Sequence, residues 1–175
     1  MFPAPTEPND NIGEDKQMKD SLRTGISFGL TSAVITTLGL MVGLDSGTHS
    51  KIVVLAGILT IAIADAFSDA LGIHVSEEAE NKHTIKQIWA ATVSTFLAKF
   101  LFAMTFIVPV ILFALSTAIV ISMIWGLSIL SILSYIIAKS QSEPPWKIIG
   151  EHLLIAIIVI GITHWVGDWL ANLNT

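Results

Sequence analysis

Residues 88–139 read IWAATVSTFLAKFLFAMTFIVPVILFALSTAIVISMIWGLSILSILSYIIAK, 52 residues in which Lys99 is the only charge before the closing Lys139. One helix across ~30 Å of hydrocarbon needs about 20 apolar residues, so this stretch is too long for one span and long enough for two joined by a turn. Pro109 should kink the end of the first, because it lacks an amide proton and clashes with the preceding turn. The turn then falls near Ala114–Thr117, which places helices over about 88–113 and 118–138.

Working outward, three more runs have the same character. Residues 24–44 follow Arg23 and end at the polar turn Asp45-Ser-Gly-Thr-His-Ser50. Residues 52–73 form the second run, and residues 148–170 follow the double-proline stop Pro144-Pro145. The expectation is an all-α membrane protein, a bundle of five transmembrane helices within one domain over 23–172. Composition agrees: 53% of the 175 residues are hydrophobic and 13% charged, about half the charge of a soluble domain. The acidic, proline-bearing residues 1–22 read as a disordered cytoplasmic tail.

With no cysteine there is no disulfide and no thiolate metal site. A net charge of −5 without a basic patch argues against nucleic acid as a partner. Lys16, Lys19, Arg23, Lys82, Lys86, Lys139 and Lys147 fall on one side of a five-span layout and only Lys51 on the other. The positive-inside rule then places the N-terminus in the cytoplasm and the C-terminus outside. The short chain and small loops fit a prokaryotic plasma membrane.

Helix one carries Gly25, Gly29, Ser32, Thr36, Gly39 and Gly43 at alternating steps of four and three. Such a stripe lets another backbone approach closely in lipid. It serves either close packing inside one chain or a homodimer seam, and the expectation is a homodimer packed through helix one.

The chemistry-bearing segment is Asp65-Ala-Phe-Ser-Asp69-Ala-Leu-Gly-Ile-His74-Val-Ser-Glu77-Glu78. A charge inside a transmembrane helix costs about 2.5–3.5 kcal/mol on insertion scales, so it has a partner or a task. Asp65 and Asp69 lie on one helical face, in a small or polar stripe with Ala62, Gly72 and Ser76. At 1.5 Å per residue, Asp65 lies about 12 Å and Lys99 about 16 Å from the inner surface, so the two can pair or couple to protons. That pairing leaves Asp69 as a cation ligand or proton carrier. Carboxylate oxygens suit borderline ions such as Mn²⁺ and Fe²⁺, and His74, Glu77 and Glu78 would form a cytoplasmic mouth of the same chemistry. The alternative for these last residues is a solvated polar link. His164 and Asp168, four apart on helix five, read either as an interior histidine beside an exposed acid or as an exit-side pair.

From Arg23 to Leu170 the chain resembles the vacuolar iron transporter family. The likeness rests on Gly25-Ile-Ser-Phe-Gly-Leu-Thr-Ser32, on Ser68-Asp-Ala-Leu-Gly-Ile-His-Val-Ser76, on Ala90-Ala-Thr-Val-Ser-Thr-Phe-Leu-Ala98 with Pro109 beyond it, and on Gly161-Ile-Thr-His-Trp-Val-Gly167. It implies a dimeric five-helix transporter that moves Fe²⁺ or Mn²⁺ out of the cytoplasm, by proton exchange, with the metal as cargo and no resident cofactor. Phe28 stands where the family has a pore aspartate, Asp69 where it has Met, Ile73 where it has Glu and His74 where it has Tyr. Lys99 adds a charge where the family is apolar. The short Glu/His link replaces the cytoplasmic metal-binding domain of the plant-type members.

Other functions are a membrane scaffold whose charges are structural, and a transporter of another solute using Asp65 and Lys99 for coupling. An intramembrane aspartyl protease would need Gly-x-Gly-Asp, and the nearest approach is Val166-Gly-Asp168. No enzyme activity is expected.

Overall fold

In the computed structural model, residues 10–173 are described, and they form helices joined by short links. These are α1 (Asp10–Thr48), α2 (Lys51–Glu80), α3 (Ile85–Thr105), α4 (Ile107–Leu112), α5 (Leu115–Gln141) and α6 (Pro145–Leu173). With α3 and α4 counted as one span, five helical segments are long and apolar enough to cross a membrane. The bundle has a link end, holding the α2–α3 and α5–α6 connections, and a far end holding the α1–α2 and α4–α5 turns.

Backbone chemistry sets the boundaries. At the start of α3 the Thr84 side chain accepts from the Gln87 amide at 3.4 Å and Gln87 Oε1 accepts from the Thr84 amide at 2.8 Å, a capping box. Asn81 (φ 51°) and Ser142 (φ 58°) adopt the left-handed conformation that ends α2 and α5. Pro145 opens α6, where the missing amide proton costs nothing. The helix breaks at Phe106, three residues before Pro109, since the carbonyl four residues before a proline loses its donor. Lys51 Nζ donates to the carbonyls of Ile111 and Phe113, both at 3.0 Å, and so covers the exposed end of α4.

Three expectations change. Apart from the end of the third span at Leu112, the helices begin and end beyond the expected bounds, so the link between the second and third spans shrinks to residues 81–84. The tail expected to be irregular over 1–22 is helical from Asp10; residues 1–9 lie outside the described residues. No proline lies between Pro8 and residue 22, acids near the start favour the helix dipole, and Asp15 stands four residues before Lys19. This extension is also held in place: Gln87 Nε2 donates to Gln17 Oε1 at 2.9 Å, with Gln87 itself buried.

The third change concerns the glycine stripe. Helix α1 is the centre of the bundle and packs against α2, α3, α5 and α6. Gly25 lies against Ala91 and Ser94, and a Cβ on Gly29 would stand 2.6 Å from the Thr95 carbonyl oxygen. Further along, Gly39 faces Val159 and Gly43 faces Thr163, both on α6. Two neighbours of the same chain therefore fill the stripe, α3 at the link end and α6 toward the far end. The expected homodimer seam through this face is occupied within the chain. Val34, Leu38, Met41, Val54, Ile58, Phe106 and Leu130 form the apolar core around it. Gly126 leaves space for Leu38 and Phe106, whose atoms lie 2.9 and 3.2 Å from where its Cβ would be.

Candidate functional site

A charged centre lies where α1, α2 and α3 meet. Lys99 on α3 is 1% exposed. Its Nζ forms an ion pair with Asp65 Oδ2, meets Asp69 Oδ2 at 2.5 Å and donates to Ser32 Oγ at 2.8 Å. The ammonium thus donates hydrogen bonds to Asp69 and Ser32, while Asp65 is held by charge, its Oδ2 a buried oxygen with no hydrogen-bond partner among the described residues. The spacing of the acids explains the geometry. Residues four apart on a helix are about one turn, ~5–6 Å, apart, so one cation can touch both.

The expected Asp65–Lys99 pair is therefore present, but the expectation that Asp69 is left unpaired is corrected. One long side chain serves both carboxylates. Two carboxylates and one ammonium leave one unit of negative charge on the centre. Neither acid is sealed in: the Asp65 and Asp69 side chains keep 28% and 18% of their exposure.

An open groove of about 780 Å³ runs between α1 and α2 and reaches Asp65. Its wall is mostly apolar, with Thr36, Thr60 and Ser68 supplying hydroxyls. The polar stripe on α2 differs from its expected form. Ala62, Ala66 and Ala70 are the residues that seal against the bundle, while Gly72 faces open space and Ser76 is exposed.

The candidate mouth does not assemble. His74 turns toward α3, where its Nδ1 lies 2.9 Å from Thr92 Oγ1 and its ring meets Trp89 edge-on at 4.9 Å. Glu77 Oε2 lies 3.4 Å from His83 Nε2, and Glu78 is exposed. Helix α2 does continue past His74, but the imidazole and the Glu78 carboxylate take separate surroundings. Among the described residues, no group of three or more His, Asp or Glu side chains is placed to hold a metal ion. The expected metal set of Asp65, Asp69, His74, Glu77 and Glu78 is thus divided between an ion-paired centre and a separate polar link.

At the far end, His164 Nδ1 contacts Ser46 Oγ, and its Nε2 lies 3.5 Å from Asp168 Oδ2. His164 is not an interior histidine, since its side chain is more than half exposed, and with Ser46 and Asp168 it forms a three-residue chain that engages both imidazole nitrogens. Ser46 was missed because α1 carries it 118 positions away. A third pair, Ser134 Oγ with His152 Nδ1 at 2.7 Å, ties α5 to α6. In each case a histidine finds a hydroxyl on a neighbouring helix, the cross-helix bond that small polar residues supply in lipid. The signal for Ser32 was in the sequence: it shares the stripe of Gly25 and Gly29, which α3 must approach closely.

No family model, curated protein or solved structure matches this chain.

Proposed function

We propose that this chain is a cation transporter of a membrane, with Asp65, Asp69 and Lys99 as the centre where the cation binds. The supporting observation is the excess negative charge: two carboxylates share one ammonium inside the bundle, at the end of an open groove. Intramembrane acids are costly, and where they are not neutralised by a partner they mark ion or proton pathways. On the positive-inside rule the link end faces the cytoplasm and the far end faces outside, while the short chain and small loops fit a prokaryotic plasma membrane.

The motif likeness adds export of Fe²⁺ or Mn²⁺, by proton exchange and in a dimer. The geometry supports cation binding in general, and one singly charged ion balances the formal charge of the three side chains. At an effective dielectric of about 20, Lys99 repels a divalent ion about 4 Å away by about 8 kcal/mol and a singly charged ion by about 4, so it weakens the hold of the two carboxylates on either. A dimer would need a face other than the filled glycine stripe.

One observation favours a second reading, a scaffold with structural charges: Lys99 is ion-paired with both acids and bonded to Ser32 across three helices. Tracer flux into proteoliposomes, with and without a pH gradient, separates the two. Transport predicts flux through the wild type that Asp69→Asn abolishes and Phe28→Ala leaves intact. A scaffold predicts no flux of ²²Na⁺, ⁸⁶Rb⁺ or ⁵⁴Mn²⁺ through folded wild-type protein.

A further inference from the structure

The charge carried by the centre, together with the oxygen chemistry of the groove, selects among cations. We propose that Asp65 and Asp69 take a singly charged cation of the alkali-ion class from the α1–α2 groove, and that Lys99 is the residue that excludes divalent metals. This rests on the transport reading above and narrows its cargo.

Three observations carry it. First, Lys99 is 1% exposed and its Nζ is held from α1 and α2 at once, so the ammonium is a fixed part of the site. A singly charged ion bound beside it makes the centre neutral. A doubly charged ion leaves a net positive charge inside the bundle, the less favourable outcome. Second, neither acid side chain is fully buried, and Asp65 Oδ2 has no hydrogen-bond partner among the described residues. Third, the groove at Asp65 offers only hard oxygens: Thr36, Thr60 and Ser68 line it, with no imidazole or thioether. Iron and manganese sites commonly add imidazole, whereas hydroxyl and carboxylate oxygens suit hard ions. The histidine nearest in sequence to the two acids, His74, lines a different pocket and is engaged with Thr92.

The test uses the full chain in proteoliposomes, comparing ²²Na⁺, ⁸⁶Rb⁺ and ⁵⁴Mn²⁺ uptake in wild type, Lys99→Gln and Lys99→Arg. The expected result is uptake of a singly charged ion by wild type and Lys99→Arg, with ⁵⁴Mn²⁺ uptake no higher than in empty vesicles. Lys99→Gln, which leaves both carboxylates without the ammonium, should raise ⁵⁴Mn²⁺ uptake at least tenfold. Wild-type ⁵⁴Mn²⁺ uptake equal to that of Lys99→Gln overturns the proposal.

Thermal unfolding in detergent, titrated with NaCl, RbCl or MnCl₂ at fixed ionic strength, separates a failure of selectivity from a failure of transport. If no tracer moves yet Mn²⁺ stabilises Lys99→Gln and not wild type, transport is wrong and the charge rule stands. If Mn²⁺ stabilises wild type as much as Lys99→Gln, or no cation stabilises either, the charge rule is wrong. Should Lys99→Gln not fold, Asp69→Asn supplies the same decision. It makes the centre neutral and must lose the Na⁺- or Rb⁺-dependent stabilisation that Lys99→Arg keeps; its retention overturns the proposal.

Discussion

Lys99 Nζ meets Asp69 Oδ2 at 2.5 Å while the same nitrogen is ion-paired with Asp65, so two acids one helical turn apart share a single cation from the next helix. The tie fixes α2 against α3 at a depth where neither charge alone would be tolerated. It also makes the two partners unequal. Lys99 has no substitute cation within the centre, while either acid can be lost and leave Lys99 paired.

That inequality predicts a stability order. Lys99→Met leaves two half-buried carboxylates facing each other without their cation and should cost about 3 kcal/mol, the lower end of what removing one partner of a buried pair costs. Asp65→Asn or Asp69→Asn keeps one ion pair and should cost about 1–3 kcal/mol. Replacing all three by Lys99→Met, Asp65→Leu and Asp69→Leu should be close to neutral. Reversible unfolding in mixed micelles measures the series, and equal losses for Lys99→Met and Asp69→Asn would contradict the shared-cation geometry.

Glycines of the same protein should respond oppositely to alanine. At Gly29 a Cβ would stand 2.6 Å from the Thr95 carbonyl and 3.1 Å from the Ala98 side chain, so α1 and α3 must separate. Gly29→Ala should cost about 1–3 kcal/mol, as overpacking does. At Gly72, Gly150 and Gly161 nothing lies within 4 Å of the added methyl, so alanine there should be neutral or stabilise by up to about 1 kcal/mol through helix propensity. Thermal unfolding of the four variants checks both signs.

Lys51 should matter to α4 and not to the charged centre. Its contacts with the Ile111 and Phe113 carbonyls cover backbone groups that α4 leaves open. Lys51→Met should cost about 1 kcal/mol, in line with loss of a helix-end interaction. Amide exchange should rise at residues 110–113 and stay unchanged at residues 95–103; a uniform rise across both would show that the contact is not local.

The extension of α1 depends on Gln87. Its amide links the capping box of α3 to Gln17, so Gln87→Ala removes a cap and an interhelix bond together. Limited proteolysis should then cut between residues 13 and 20 several times faster, while the transmembrane portion stays protected. An unchanged cleavage rate would mean that the extension is held by other contacts.

The five spans were legible because their length is dictated by bilayer thickness, and the break near Pro109 because proline cannot donate. The start of α1 was not legible: three prolines in residues 1–8 colour the whole acidic segment, although none lies between Pro8 and residue 22. At the charged centre, matching depths gave Lys99 to Asp65 and treated Asp69 as free. The i, i+4 spacing held the better answer, since a lysine stem long enough to reach one acid reaches the other. The role of the glycine stripe was ambiguous for a physical reason: small residues report close approach and not which helix approaches. The separation of His74 from Glu78 lay beyond the sequence, because it depends on Thr92 and Trp89 of another helix.

The central claim is that the excess negative charge at Asp65, Asp69 and Lys99 binds a cation that crosses the membrane. Charge displacement from proteoliposomes on a solid-supported membrane, after a jump in Na⁺ or Rb⁺ concentration, tests it most directly. Wild type should give a saturable transient current that Asp69→Asn abolishes. No current from folded wild type, or the same current from Asp69→Asn, would contradict it.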